Sequence, residues 1–314
     1  MCIKKSMTYS SLTGIDIPIS NIIFGCCNPI LTDDKPGAEE LLDLAYSNGF
    51  NIFDTAKVYG KSEDVLGRWI EHSGNRDRLV IVTKGCHPNE TGGVSRLNVN
   101  ALNEDIESSL ERLRTDYIDI YLLHRDNPEA SIESVLPVIE SLENFIRRGI
   151  IKKIGVSNWK HTRIEAVNTL AFKMGLEGIS VSSPQLSPAK QIRDPWGGGC
   201  VSIAYDDDAE EWYRNHPEVV VFAYSCLAHG MFSGKITSRH PFKLYRDLDY
   251  AGRKGYWSLS NFKRLLMLEK VAARKECTVA QASLVWCMSR GYRVFPVATM
   301  SSLERMRENI GALL

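Results

Sequence analysis

The feature that most constrains the fold is a repeated alternation of short apolar segments with amphipathic segments. The apolar segments are nearly continuous, which is typical of strands in a parallel sheet buried on both faces. The segments between them carry apolar residues at helical spacing, as Val65, Leu66, Trp69 and Ile70 do. Eight such units in 314 residues favour an α/β fold of the closed (β/α)8, or TIM, barrel type over an open sheet.

The predicted elements follow from this alternation. Strands are predicted over 22–25, 51–54, 79–83, 118–123, 151–156, 179–183, 219–223 and 293–297, and helices over 37–48, 62–72, 100–114, 132–148, 160–174, 258–275, 278–289 and 301–311. An antiparallel hairpin over 7–20, with its turn near Thr13 and Gly14, precedes them. We expect residues 1–314 to form a single domain.

The predicted helix 132–148 contains a proline, Pro137. With Ser134 as the N-cap, this proline would fall in the first turn, where its missing N–H costs little. Gly149 would then end the helix.

Two long segments interrupt the alternation, residues 186–218 after the sixth strand and 226–257 after the seventh. Because both follow strands, both should lie at the C-terminal face of the barrel, where barrel ligands bind. Loops of this length usually form lids or pocket walls.

Composition and charge argue against several partner classes. Lys and Arg together number 38, as do Asp and Glu, and the formal net charge is zero, so neither nucleic acid nor an anionic membrane is expected as a partner. The eight cysteines and seven histidines show no metal-ligand spacing, so we expect no metal, reduced thiols and a cytoplasmic location. No long apolar stretch follows Met1–Ser6, so no signal peptide or membrane span is expected. Asp206–Asp208 is interpreted as an acidic helix start rather than a cation site.

Polar side chains follow three successive predicted strands. Asp54 and Tyr59 follow the second strand, Lys84 the third and His124 the fourth. A buried ammonium lowers the pKa of a phenol, and a carboxylate keeps the ammonium charged. A neutral imidazole can donate a hydrogen bond to a carbonyl oxygen. The set predicts a site that protonates such an oxygen while an external hydride donor, commonly a nicotinamide cofactor, attacks the carbon.

Each of these residues also has an ordinary structural interpretation. Asp54 could cap a turn, Tyr59 could be a half-buried aromatic residue, Lys84 a solvated strand end and His124 a structural histidine. Four of them at the ends of successive strands favour a site. A lyase or aldolase that uses Lys84 as a Schiff base is a second hypothesis, with which the neighbouring Asp54 and Tyr59 agree less well.

Four segments resemble motifs of the aldo-keto reductases. Asp54-Thr-Ala-x-x-Tyr59-Gly-x-Ser-Glu-x-x-Leu66-Gly67 is similar to the first signature of that family, and residues 110–124 to the second. Residues 151–158 resemble the nicotinamide-carboxamide segment, and 223–235 the pyrophosphate loop. The resemblance covers nearly the whole chain and implies reduction of an aldehyde or ketone by NAD(P)H in a (β/α)8 barrel.

The resemblance implies a role for individual residues. Tyr59 would be the general acid, Lys84 and Asp54 would tune its pKa, and His124 would orient the carbonyl group. The cofactor would be bound by Ser157, Asn158 and Gln185 at the carboxamide, by Tyr224 at the nicotinamide ring, by Ser225, Leu227 and Lys235 along the diphosphate, and by Arg305, Glu308 and Asn309 at the adenosine end.

The resemblance favours NADPH as the cofactor, since the planar guanidinium of Arg305 suits a 2′-phosphate. Thr299, which follows the eighth strand, would also bind the cofactor. NADH is the alternative, because many relatives carry a cationic residue after this strand. Residues 186–204 would supply the pocket wall that many relatives build from a C-terminal extension. The substrate would be a small carbonyl compound. A cofactor-binding regulatory protein with slow turnover is the alternative function.

Overall fold

The computed structural model describes residues 6–88, 93–235 and 237–313. Eight parallel strands close into a barrel in the order β10-β3-β4-β5-β6-β7-β8-β9, which confirms the predicted (β/α)8 architecture. The barrel strands are β3 (Ile23–Gly25), β4 (Ile52–Asp54), β5 (Val80–Gly85), β6 (Ile118–Leu123), β7 (Ile151–Ser157), β8 (Val181–Ser183), β9 (Val220–Ala223) and β10 (Val294–Ala298). The predicted hairpin is confirmed as an antiparallel pair, β1 (Tyr9–Ser10) and β2 (Ile19–Ser20).

Helices surround the barrel in the described residues. They are α1 (Pro29–Thr32), α2 (Ala38–Ser47), α3 (Ser62–Ser73), α4 (Val99–Leu113), α5 (Ile132–Arg147), α6 (His161–Lys173), α7 (Asp207–Asn215), α8 (Pro241–Asp247), α9 (Tyr250–Tyr256), α10 (Leu259–Arg274), α11 (Val279–Met288) and α12 (Leu303–Ile310), with short 3₁₀ turns at Arg76–Arg78 and Gly311–Leu313. Across the part of the chain that the structure describes, no helix is both long and apolar enough to cross a membrane.

Side-chain alternation along the strands separates two apolar layers. One layer fills the barrel interior and includes Ile52, Val82 and Leu122; the other, which includes Phe53, lies between the sheet and the helices. Leu12 and Ile15 of the hairpin segment belong to the interior layer, so the hairpin closes the N-terminal end of the barrel. The C-terminal end is left for polar residues.

Gly67, the last residue of the first signature motif, lies where α3 packs on α4. A Cβ at this position would overlap the Arg112 carbonyl oxygen and the Leu113 backbone. Only glycine therefore allows the two helices to approach this closely. Their contact supports the neighbouring strands β4, β5 and β6.

Helix α5 begins at Ile132, the first residue of the predicted range 132–148, but its N-cap is not the predicted one. Ser131, and not Ser134, is the N-cap, because its hydroxyl oxygen accepts a hydrogen bond from the Ser134 backbone N–H. Pro137 therefore lies inside the helix, where it has no N–H to donate to the Glu133 carbonyl. The prediction was wrong because two serines three residues apart are equally good caps in sequence, and only the folded chain selects between them.

The two long segments contain helices of their own. In 186–218, α7 begins where predicted, with Asp206 accepting a hydrogen bond from the Ala209 N–H. In 226–257, α8 and α9 were not predicted. They contribute Leu244 and Tyr256 to a third apolar cluster, which also contains Leu248 from between the two helices and residues of α10. Each short helix is thus fixed by tertiary contacts rather than by a strong local pattern.

Candidate active site

Three interior side chains meet at the C-terminal end of neighbouring strands. Asp54 lies two residues beyond Ile52, Lys84 two beyond Val82 and His124 two beyond Leu122, so strand alternation directs all three side chains into the barrel. All three are buried. Lys84 Nζ donates to Asp54 Oδ1 at 2.6 Å and to the Thr55 carbonyl oxygen at 2.9 Å.

Tyr59 reaches this group from the turn after β4. Its ring centroid lies 4.9 Å from Lys84 Nζ and 5.8 Å from the His124 ring, which it meets edge to face. The structure therefore brings the four predicted catalytic residues together.

Burial and charge act in opposite directions on the phenol. Burial raises the pKa of Tyr59 to about 12, while the Lys84 ammonium pulls it down and the Asp54 carboxylate pushes it up. We expected a net lowering by Lys84, and this expectation is corrected, because in this arrangement the burial effect exceeds the effect of the ammonium. Tyr59 is consequently a protonated hydrogen-bond donor at neutral pH.

The neighbouring groups have well-defined charge states. Burial opposes the charge on Lys84, but Asp54 and Tyr59 outweigh burial and raise the pKa of the lysine. For His124, burial and then the charges of Lys84 and Arg125 hold the pKa well below its usual value. The imidazole is therefore neutral, and its Nδ1 has no hydrogen-bond partner among the described residues.

A cavity of about 460 Å³ opens above these residues. Its volume lies within the range of small-molecule sites. Besides the four catalytic candidates, the predicted cofactor-binding residues Ser157, Asn158, Tyr224, Ser225 and Thr299 line it. Six strands and the turns that follow them therefore contribute predicted residues to one space.

The predicted carboxamide and ring contacts form a hydrogen-bonded set. Tyr224 donates its hydroxyl proton to Asn158 Oδ1 at 2.6 Å. Asn158 Nδ2 donates to Ser157 Oγ at 2.9 Å, and Asn158 adopts a left-handed backbone conformation with φ of 63°. These contacts fix the Tyr224 ring at the cavity wall, where a flat aromatic ring could stack on it.

The predicted diphosphate and adenosine residues lie further along the mouth. Lys235 lines a second cavity of about 220 Å³, which shares His229 with the first. Arg305 donates to the Ser233 carbonyl oxygen at 3.3 Å and to Glu308 Oε2 at 2.6 Å. The last helix is thereby tied to the loop after β9.

Five predicted cofactor residues lie outside the lining of both cavities, and two of them are the Arg305 and Glu308 just described. Gln185 is buried, and its amide is already bonded: Nε2 donates to Ser187 Oγ at 2.9 Å and Oε1 accepts from Ser202 Oγ at 2.6 Å. Leu227 packs against the outer apolar layer, and Asn309 is buried in α12. The structure therefore does not bring these five side chains to either cavity.

Sequence reasoning missed several lining residues. Arg125 directly follows His124, and His87 follows the Lys84 strand, so their positions after strand ends were a usable signal. Trp196 and His229 come from the long loops, and their ring centroids lie 5.0 Å apart. Their approach depends on loop packing, which has no local signal.

The described residues do not include a group of three or more His, Cys, Asp or Glu side chains arranged to hold a metal ion.

Comparison with known proteins decides the family. The sequence model of the Aldo/keto reductase family matches residues 22–314. The chain belongs to the aldo/keto reductase family. Like the family as a whole, it is an oxidoreductase of the kind that uses a nicotinamide cofactor.

The relatives that this aldo/keto reductase resembles include three proteins at 26 to 28% identity. Aldo-keto reductase str7 of Strobilurus tenacellus is 26% identical, with 87% of this chain and 75% of the relative aligned. Aldo-keto reductase yakc [NADP(+)] of Schizosaccharomyces pombe is also 26% identical, over 88% and 79%. Aldo-keto reductase ausK of Emericella nidulans is 28% identical, over 89% and 69%.

Proposed function

We propose that this protein reduces an aldehyde or ketone to an alcohol with NADPH, and that Tyr59 is the general acid. The observation that carries the proposal is the buried cluster in which the Tyr59 ring lies 4.9 Å from Lys84 Nζ, with Lys84 bonded to Asp54 at 2.6 Å. This cluster faces the cavity where the Tyr224 ring is held.

The proton transfer follows from the charge states of the side chains. The protonated phenol of Tyr59 and the neutral imidazole of His124 donate hydrogen bonds to the carbonyl oxygen and polarise it. As the oxygen gains negative charge, the Tyr59 proton moves to it. Lys84, held charged by Asp54, stabilises the phenolate that remains.

The residues of the cavity are suited to a nicotinamide cofactor. The ring of Tyr224 forms part of the wall, and Ser157 and Asn158 place polar groups beside it. Lys235 and Arg305 provide positive charge on the side of the adjoining cavity and α12. When bound, the cofactor supplies the hydride that the side chains lack. The name of the yakc relative includes NADP(+), which supports NADPH, as does the guanidinium of Arg305.

The test is an NADPH oxidation assay over a panel of aldehydes and ketones, with NADH in parallel. Tyr59→Phe removes the transferable proton but keeps the ring, so we expect kcat to fall by about 10²- to 10⁴-fold with cofactor binding retained. Tyr9→Phe is the matched control, because Tyr9 is an exposed residue of the hairpin that donates to the Gly49 carbonyl oxygen, at the closed end of the barrel.

Undiminished turnover by Tyr59→Phe would show that another group is the acid. If the protein binds NADPH but reduces no carbonyl compound, the regulatory alternative would replace the proposal. Consumption of NADH and not NADPH would reverse the assigned cofactor preference.

A further inference from the structure

Arg125 is a buried cation in the wall of the cavity that contains the four catalytic candidates. It follows His124 directly, lines the same cavity and is 9% exposed. Its Nε is buried and has no hydrogen-bond partner among the described residues. Within the same described ranges, no Asp or Glu lies within ion-pair distance of its guanidinium.

The carboxylates closest to this position in the chain and the cavity have other partners. Asp54 is bonded to Lys84 at 2.6 Å, and Asp126 to Arg163 at 2.8 Å. Asp194, in the loop that covers the cavity, accepts backbone N–H groups from its own loop, including that of Cys200 at 3.0 Å. Among the described lining residues, Asp54 is the one carboxylate, and its pairing with Lys84 leaves no carboxylate of the lining for Arg125.

The glycine-rich loop over residues 193–200 encloses the Arg125 guanidinium. A Cβ built on Gly198 would lie 3.4 Å from Arg125 Nε, and Trp196 lines the same cavity. Burying a charged group without a partner is costly. The burial of Arg125 therefore suggests that its counter-ion arrives with a ligand.

Barrel order places Arg125 away from the cofactor phosphates. It follows β6, which lies four strands from β10, the strand that leads to Thr299 and α12, and three strands from β9, the strand that leads to Ser225 and Lys235. On an eight-strand ring, both positions lie on the far side of the barrel mouth from Arg125. The anion at Arg125 would thus belong to the substrate rather than to the proposed cofactor.

We propose that Arg125 binds an oxyanion, a carboxylate or a phosphate, on the carbonyl substrate. The planar guanidinium pairs with either group through two parallel hydrogen bonds. Because His124 and Arg125 are consecutive residues, the anion would anchor one end of the molecule while Tyr59 and His124 hold the carbonyl group. The inference rests on the proposed function and assigns its substrate class: oxo acids or carbonyl phosphates.

The experiment compares acidic substrates with matched neutral ones. The 2-, 3- and 4-formylbenzoates are assayed with NADPH against their methyl esters, and 4-formylphenyl phosphate serves as the phosphate arm. We expect at least one acid to exceed its ester in kcat/KM by about 10- to 100-fold, as for a charge-assisted hydrogen bond. The arm with the larger preference identifies the oxyanion.

The variants are Arg125→Met and Arg125→Lys. The control is Arg193→Met, which changes an exposed arginine of the glycine-rich loop that encloses Arg125. Arg125→Met should abolish the acid preference, lowering kcat/KM for the acids by about 10- to 100-fold more than for the esters, whereas Arg125→Lys should retain part of the preference. Arg193→Met should behave as the unmodified protein. Equal kcat/KM for every acid and its ester in the unmodified protein would overturn the inference, whether or not the variants fold.

Binding separates this inference from the proposed function. If no carbonyl compound is reduced, benzoate and inorganic phosphate are titrated against the unmodified protein and Arg125→Met, with the thermal midpoint as the readout. A rise in the midpoint that requires Arg125 would support the anion site although the proposed function had failed. No rise with either ion would overturn the anion site as well.

Discussion

The two sides of the barrel mouth are built in different ways. On the side of β4, β5 and β6, Asp54, Lys84 and His124 extend directly from strands, and the hydrogen-bonded register of those strands fixes their positions. On the side of β8 and β9, Trp196 and His229 belong to two long segments, and their rings contact each other. The second of these segments, 226–257, contributes residues to the third apolar cluster. Strand ends hold the reacting groups rigidly, while loops form the wall, so changes on the two sides should affect different kinetic constants.

The largest effect should come from Lys84 on the strand side. Lys84→Met removes the one nearby cation that lowers the pKa of Tyr59 and stabilises its phenolate, so kcat for reduction should fall by about 100-fold or more. Steady-state kinetics measures the change. Lys153→Met is the control, since Lys153 is also buried on a barrel strand but lies beside Gly14 at the closed end. A similar fall in kcat for both variants would mean that the loss is structural.

The next effect should come from Trp196 on the loop side. Trp196 is 50% exposed and lines the cavity. Trp196→Ala therefore removes a large aromatic side chain of which about half of the surface is buried. We expect the substrate KM to rise by about 5- to 10-fold with little change in kcat. Phe242→Ala, which removes an aromatic residue 89% exposed on α8, is the control. A fall in kcat without a rise in KM would contradict the division between the two sides.

A smaller effect should come from the residue that holds the Trp196 loop. Asp194 accepts hydrogen bonds from the backbone N–H groups of Trp196, Gly197, Gly199 and Cys200 at distances from 2.8 to 3.0 Å. Burial acts to raise the pKa of this carboxyl, but the N–H donors outweigh burial and lower the pKa to about 2.

Asp194→Asn removes the charge and two acceptor positions, so we expect the substrate KM to rise a few-fold, about the value of one hydrogen bond. Cleavage of the 193–200 segment by a protease should also be faster. Asp207→Asn, at an exposed position in the first turn of α7, should change neither quantity. Unaltered KM together with unaltered cleavage would show that the loop is held by other contacts.

The smallest expected effect is that of pH. Tyr59 must be protonated to act as the acid, so activity would be lost only as pH rises toward its pKa of about 12. His124 is neutral because its pKa lies well below the usual value, so acidification to pH 6 should not charge it. We therefore expect kcat/KM for reduction to vary by less than about twofold from pH 6 to pH 9. A limb with a midpoint near 6.5 would show that the imidazole titrates in the free enzyme.

Local patterns account for the parts of the site that were predicted. Asp54, Lys84 and His124 each end an apolar strand, and parallel strands in a barrel place such residues at one mouth. The signal of Tyr59 was its place in the turn after β4. The same alternation carries Tyr224 beyond Phe222 into the interior.

Side-chain partners could not be predicted in the same way. The Gln185 amide is bonded to Ser187 and Ser202, and Ser131 rather than Ser134 caps α5. In both cases the sequence offers several partners of the same chemical type. The choice among them depends on distances set by the fold.

The sequence by itself determined the barrel, its closing hairpin and the candidate residues at the ends of the strands, because periodicity and strand-end position are local properties of the chain. Tertiary structure alone decided that burial exceeds the effect of Lys84 on the pKa of Tyr59. It also decided that Trp196 completes the cavity wall and that Arg125 is buried without a described partner. Burial, charge pairing and enclosure depend on how residues distant in sequence pack together, and no local pattern records those distances.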